Sequence, residues 1–355
     1  MRVLAVTAVL VAMMPIAAQA ASDPFDCTRA AAYSAKRDGV SYLVLRDGKV
    51  ICEDYTNGGK ADSANLLASG TKSFSGIIAA AAAQDGFLSL DEPVSATIVE
   101  WQNDPRRRSI TIRQLLGLVS GIASGKDART PSYTEAIEAI PVVAPGESFQ
   151  YGAVPFQIFG ELVKRKLAAR GEPADPLAYL TRRVLAPIGI APVQWRRAPD
   201  GNPMMAAGAA LTARQWATFG EFVRLGGVWD GQQLVDPRTL AELFHGSSVN
   251  PAYGISWWLA ASVAPADRPR QLRAAIDLSA HADELPKGIV LAAGAGRQRL
   301  YIVPDERIVI VRQAARATIG PQRRQRAVRA QNQPDAVDSR WSDTQFLKQA
   351  LNLAN

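Results

Sequence analysis

The chain is poor in the residues that usually announce chemistry. It has two cysteines and two histidines in 355 residues. His245 and His281 sit far apart with no ligand spacing around them, and Cys27 and Cys52 have no second ligand pair. A metal centre or a histidine-driven triad is therefore not expected, and neither is a cysteine nucleophile. No organic cofactor is implied. Aromatic residues make up 7% of the chain, and none interleaves with the basic cluster between residues 312 and 329, so the net charge of +7 does not read as a nucleic-acid platform. Much of that charge is local, in Arg312, Arg316, Arg323, Arg324, Arg326 and Arg329, and this segment reads as a solvated basic loop. No low-complexity run interrupts the body. With 48% hydrophobic and 21% charged residues, the composition is that of a globular protein.

Long apolar runs are also missing after the first residues. Met1 and Arg2 lead into an apolar stretch from Val3 to Ile16, which ends in Ala18-Gln19-Ala20. This is the pattern of a cleaved secretory leader over residues 1–20, and the stretch falls short of the roughly 20 apolar residues of a membrane span. A secreted, periplasmic protein without stable membrane insertion is expected. In that oxidising setting, the default for Cys27 and Cys52 is a single disulfide.

Two β-rich ends enclose a helical middle. Val40 to Leu45 and Lys49 to Tyr55 read as strands around an Asp47-Gly48 turn. Gly288 to Ala292, Arg299 to Val303 and Arg307 to Val311 read as three more, followed by a helix-like tail from Thr344 to Ala354. Between them, Ser73 to Ala83 is an alanine-rich helix, and Thr212 with Gln215 forms a capping-box pair. The pattern predicts an α+β fold with one antiparallel sheet of about five strands drawn from both chain ends and flanked by helices. Residues 21–85 and 285–355 form the sheet domain, and 86–284 form a mainly helical insert.

Ser69-Gly70-Thr71-Lys72 opens the alanine-rich helix. A spacing of three brings the lysine amine onto the face of the serine hydroxyl, which needs a neighbouring base to become a nucleophile. The positive end of the helix favours negative charge developing there. Alone the motif is weak, since SxxK arises about once by chance in a chain of this length.

Its surroundings make it specific. Gly86-Phe87-Leu88-Ser89-Leu90-Asp91-Glu92-Pro93-Val94, Ile110 to Leu116 running to Ser120-Gly121-Ile122, and Pro145-Gly146-Glu147-Ser148-Phe149-Gln150-Tyr151 follow in order. Leu211 to Arg214, Tyr253 to Trp258, and Ala292-Ala293-Gly294 with Gln298 and Pro304 complete the series. Together these segments resemble the class C β-lactamase and penicillin-recognising serine hydrolase superfamily, from about residue 35 to residue 312. The superfamily also holds esterases, D-amino-acid peptidases and nylon-oligomer hydrolases.

The resemblance implies a β-lactamase/transpeptidase-like fold, with Ser69, Lys72 and Tyr151 as the catalytic group. It implies that Tyr151 accepts or relays the serine proton and returns it to the leaving group, that Lys72 holds this network in register, with either of the two as the deprotonated species, and that the backbone amides of Ser69 and Ala295 form the oxyanion hole. Ala153, Ala293, Gly294 and Arg297 fall at substrate-binding positions. Two departures stand out. Ala153 occupies the place of the family's asparagine, and Ala292-Ala293 replace the lysine and hydroxyl residue that true β-lactamases carry there. A cation for a substrate carboxylate is thus missing. Arg297 restores one at the pocket mouth, or is only a solvated strand residue. If Trp257 and Trp258 lie on a strand, one faces inward and the other outward. The expected activity is hydrolysis of a small or peptide-like ester or amide rather than efficient β-lactam hydrolysis. The alternative is a non-catalytic penicillin-binding-like sensor that acylates without turnover.

Overall fold

The computed structural model describes residues 26–123, 130–191, 193–263, 276–315 and 341–353. The leader-like residues 1–20, and Arg316 to Arg329 of the basic segment, lie outside the described residues.

The frame is a six-stranded antiparallel sheet in the order β2-β1-β11-β10-β9-β8. The amino-terminal side contributes β1 (Gly39–Arg46) and β2 (Lys49–Asp54). Three of the remaining strands form a meander near the other end: β9 (Val290–Gly294), β10 (Gln298–Val303) and β11 (Ile308–Ala314). The sixth strand, β8 (Trp258–Leu259), comes from inside the stretch read as helical, and it pairs with Leu291 and Val290 of β9. β10 and β11 are buried along their whole length, because helices cover both sheet faces. Strands in that position read as continuous apolar runs rather than as alternating ones.

On one face lie α1 (Cys27–Ala35) and the last helix, α9 (Asp343–Ala350). On the other, α7 (Ala213–Arg224) packs across β1, β10 and β11. The Thr212–Gln215 capping box forms as expected, satisfying the first free amides of α7.

Beyond α7 lies α2 (Lys72–Gln84), in which Lys72 to Ala82 are all buried. A helix buried all round cannot show an amphipathic stripe. Its alanines let neighbouring elements approach its axis closely.

The helical region contains α3 (Ile112–Leu116), α4 (Tyr133–Ile137), α5 (Val154–Ala169), α6 (Pro176–Leu180) and α8 (Pro237–Glu242). Two small sheets accompany these helices, the first of them taking one strand from the segment before α2. One consists of β3 (Asn65–Leu66), β5 (Ala209–Leu211) and β4 (Gln194–Trp195); the other is the pair β6 (Val228–Trp229) and β7 (Gln232–Gln233). These two-to-three-residue strands are too short to carry a periodicity of their own. No helix among the described residues is long and apolar enough to cross a membrane.

Arg312 departs from the solvated loop expected of it. It lies in β11, fully buried, with its guanidinium 4.8 Å from the ring centre of Trp341. Both tryptophans of the Trp257-Trp258 pair are buried, where one was expected to face out. Trp257 precedes the strand, and Ser256 before it has φ +71°, so strict alternation does not apply.

Cys27 and Cys52 are disulfide-bonded and tie the start of α1 to the edge strand β2. A link across 25 positions restricts the unfolded chain, an effect worth about 3 kcal/mol. Replacing both with alanine is expected to lower the free energy of unfolding by that amount in denaturant titration. An unchanged midpoint would mean that packing alone holds α1 in place.

Candidate active site

Ser69 sits in a single 3₁₀ turn, Ala68–Thr71, that runs directly into α2. Ala68, just before it, has φ +48°, a left-handed conformation unfavourable for a residue with a Cβ. The surrounding hydrogen bonds hold it there. The Leu67 amide donates to the Ala209 carbonyl at 2.9 Å, and the Ala209 amide donates to Thr71 Oγ1 at 3.1 Å. The turn that carries Ser69 is thus laced to the strand β5.

Lys72 Nζ lies 3.0 Å from Ser69 Oγ and 3.1 Å from the Ala206 carbonyl. The side chain is buried, and no carboxylate among the described residues forms an ion pair with it. Burial therefore pulls its pKa down to about 7. The positive end of α2, where this amine lies, disfavours the charged form as well. A neutral amine one hydrogen bond from a hydroxyl can accept its proton.

Tyr151 arrives from a separate loop. The Gly146 amide donates to the Val119 carbonyl at 2.7 Å and the Gln150 amide to the Leu118 carbonyl at 2.8 Å, pinning the loop just before α5 begins. The centre of the Tyr151 ring is 5.1 Å from Lys72 Nζ. Burial pushes the phenol pKa up, while hydrogen bonding with Ser69, the charge of Arg299 and hydrogen bonding with Trp258 pull it back. The hydroxyl, amine and phenol expected from sequence are brought together, although the phenol lies some eighty positions downstream of the serine.

An aromatic wall backs the phenol. Trp258 stacks on Tyr151 with ring centres 5.4 Å apart, and Tyr253 meets Trp258 edge-on at 4.7 Å. Phe149 packs against Tyr253 at 5.3 Å. Of the two tryptophans, Trp258 therefore lines the candidate site, whereas Trp257 packs away from it against Phe219 and Phe244.

Gly294 ends β9 against the turn that carries Ser69. A Cβ there would lie 1.9 Å from the Leu67 carbonyl oxygen and 3.1 Å from the Gly70 amide, so only glycine allows this approach. Ala295 and Arg297 fall in the three-residue turn after it rather than on a strand, and Arg297 has φ +64°. Ala293 is buried on β9, and Ala153 is half-buried as the residue capping α5, with no side-chain amide to offer. Two further residues were not singled out from sequence. Arg299 and Asp343 form a buried ion pair at 2.6 Å behind the sheet. The signal available was a charged residue inside an apolar strand. Among the described residues, no cluster of histidine, cysteine or carboxylate side chains could hold a metal ion.

A family model described as Beta-lactamase matches residues 25–333. Among curated proteins, Protein flp of Staphylococcus aureus is 30% identical over 146 residues, which are 36% of this chain and 29% of that protein. The chain thus spans less than a third of that relative's length. Among solved structures, EstCE1, a hydrolase with promiscuous acyltransferase activity, superposes with a TM-score of 0.60 at 16% identity, covering 88% of this chain and 98% of that one. A D-stereospecific amidohydrolase from Streptomyces sp. superposes with a TM-score of 0.57 at 17% identity, covering 81% and 93%. Likeness at these identities concerns the fold.

Burying an unpaired amine has a thermodynamic signature. A folded-state pKa of about 7 against 10.5 means that the unfolded chain binds more protons between those values. Stability then rises with pH across that window, and the penalty is largest below it. Lys72→Met is expected to stabilise the fold by ~1–3 kcal/mol at neutral pH. That gain should shrink to nothing by about pH 10.5. Melting curves of both proteins across this range test it, and a pH-independent difference would contradict the assigned cause.

Proposed function

From the premise that the chain belongs to the Beta-lactamase family, matched over residues 25–333, we propose that it is a serine hydrolase. It works through an acyl-Ser69 intermediate on a small or peptide-like ester or amide. The observation that carries this reading is the buried Lys72 amine 3.0 Å from the Ser69 hydroxyl.

In the proposed cycle, neutral Lys72 accepts the hydroxyl proton as Ser69 Oγ attacks the substrate carbonyl carbon. The carbonyl oxygen takes up negative charge, stabilised by the backbone amides of Ser69 and Ala295. Collapse breaks the bond to the leaving group, which takes a proton from the Tyr151 phenol, and Tyr151 is reprotonated through Lys72. Water then attacks the acyl-serine by the same steps in reverse, releasing the acid and restoring Ser69. The opposed pKa directions of Lys72 and Tyr151 support this division, with the amine as base and the phenol as acid.

Ala292, on the face of β9 toward Ser69, supports an ester or amide without a carboxylate to be gripped, and argues against efficient turnover of penicillins or cephalosporins, whereas Ala293 shares the opposite face with Arg299. Ala153, which has no amide donor, favours the second reading, a sensor that is acylated and does not turn over. The same proposal places the protein outside the cytoplasm with residues 1–20 removed. The Cys27–Cys52 disulfide supports this.

Ser69→Ala is expected to abolish both hydrolysis of p-nitrophenyl butyrate and labelling by a fluorophosphonate probe. Labelling of the unaltered protein without turnover would favour the sensor instead. Neither labelling nor turnover defeats both readings. Tyr151→Phe should lower kcat by about 10²- to 10⁴-fold. In the unaltered protein kcat/KM should rise with pH through about 7, as Lys72 loses its proton. A flat profile between pH 5 and pH 9 would remove Lys72 from the role of base.

A further inference from the structure

We propose that the buried Arg299–Asp343 pair is a positioning device for acyl transfer: Arg299 holds the Gly294 carbonyl from behind the sheet and so turns the Ala295 amide toward the nucleophile. This rests on the acyl-Ser69 reading and adds residues that reading does not use.

The argument begins with the peptide plane. Arg299 Nη1 donates to the Gly294 carbonyl at 3.2 Å and to the Gln298 carbonyl at 3.0 Å. In a planar trans peptide, C=O and N–H point in opposite directions. With the Gly294 oxygen drawn toward β10 and its arginine, the N–H of Ala295 faces away from β10. Among the described residues that is the open edge of β9, because β8 pairs with residues 290 and 291 of it and stops short of 292–294. Trp258 of β8 stacks on Tyr151, and Gly294 itself abuts the turn that carries Ser69.

The remainder of the turn is held in the same way. Arg312 Nη1 donates to the Gly296 carbonyl at 3.1 Å and to the Arg297 carbonyl at 2.9 Å. Two buried guanidiniums therefore grip three carbonyls of residues 294–297. Arg299 is in turn fixed by Asp343, whose Oδ1 accepts its Nε at 2.6 Å and the Tyr301 hydroxyl at 2.5 Å. Asp343 opens α9, where the helix amides favour a carboxylate, and its own amide donates to Asp277 at 2.8 Å. Arg299 stands opposite Ala293 in the register of β9 and β10, on the sheet face away from Ser69. It therefore does not touch substrate: it acts through the backbone, beside the long-range effect of its charge on Tyr151. The cation absent from the front of β9 has a counterpart behind it.

The test combines steady-state kinetics on p-nitrophenyl butyrate with inhibition by phenylboronic acid, whose tetrahedral serine adduct places an oxygen where the oxyanion would form. Arg299→Gln is expected to lower kcat by about 10- to 100-fold, with KM changed less than about threefold. It should weaken phenylboronic acid by a matching factor, and Arg299→Lys should recover part of both. Asp343→Asn keeps the shape of the carboxylate and should act in the same direction to a smaller degree, which carries the test if Arg299→Gln does not fold. A folded Arg299→Gln or Asp343→Asn protein with kcat and boronate inhibition intact overturns the proposal, even if its melting temperature has dropped. If the unaltered protein shows no Ser69-dependent turnover, the hydrolase reading fails first and the positioning role falls with it.

Discussion

The constraint around which the site is built is a single amine kept out of water without a counter-ion. Lys72 donates to a hydroxyl and a carbonyl and meets no carboxylate among the described residues. Moving a charge into such surroundings is costly, so the group gives up its proton near neutrality instead. Everything nearby maintains the dryness that this requires. The alanine face of α2 allows close packing, Phe156 stands 5.3 Å from the amine, and the Tyr151–Trp258 stack closes another side. Water admitted beside this nitrogen would restore its ordinary basicity and make it a cation again. In that state it could no longer take a proton from a serine.

The same dryness limits what can surround the reacting centre. A buried phenol that stays protonated needs partners favouring its ionised form only partly, and Tyr151 has three: Ser69, the more distant charge of Arg299, and Trp258. The backbone is equally committed. Ala68 is held at positive φ, and the chain approaches so closely at Gly294 that no side chain fits. Strain of this kind costs on the order of 1–3 kcal/mol per residue and persists only where neighbouring contacts over-determine the geometry. Here the contacts are the hydrogen bonds from Leu67 and to Thr71 that stitch the turn to β5.

Much of this was legible in the residues. Strong local signals located the strands at both ends, the alanine-rich helix and the α7 cap to within a few positions. The Ser69–Lys72 pairing follows from helical spacing alone, but Tyr151 does not, since its partners lie on other segments and only the ordered landmarks pointed to it. What escaped was encoded in non-local packing. β8 is two residues long and exists because β9 offers it an edge. Arg312 read as the first of a basic run, yet its neighbours Val309, Ile310 and Val311 make it a strand residue with its charge held among carbonyls and an aromatic ring. Trp257 and Trp258 looked like an alternating pair, and the left-handed Ser256 before them defeats that alternation.

The placement of the cations follows from the same physics. A lysine at position 292 would project from the front of β9, where it could pair with a substrate carboxylate but would also bring a hydrated charge to the side of the sheet that holds Lys72, whose neutrality the proposed mechanism requires. Alanine there removes that repulsion and that water. Positive charge on the far side of the sheet, at Arg299 and Arg312, is separated from the reacting centre by a layer of backbone. It can still orient carbonyl dipoles and favour negative charge in front without offering a salt bridge to any ligand. Arg312 is held there against its own solvation, since burial, together with the nearby charges of Arg297 and Arg299, pulls its pKa down to about 9. On the proposed reading, a site arranged this way would select for the charge that develops during reaction rather than for charge the substrate already carries, which suits an ester or amide better than an anionic β-lactam.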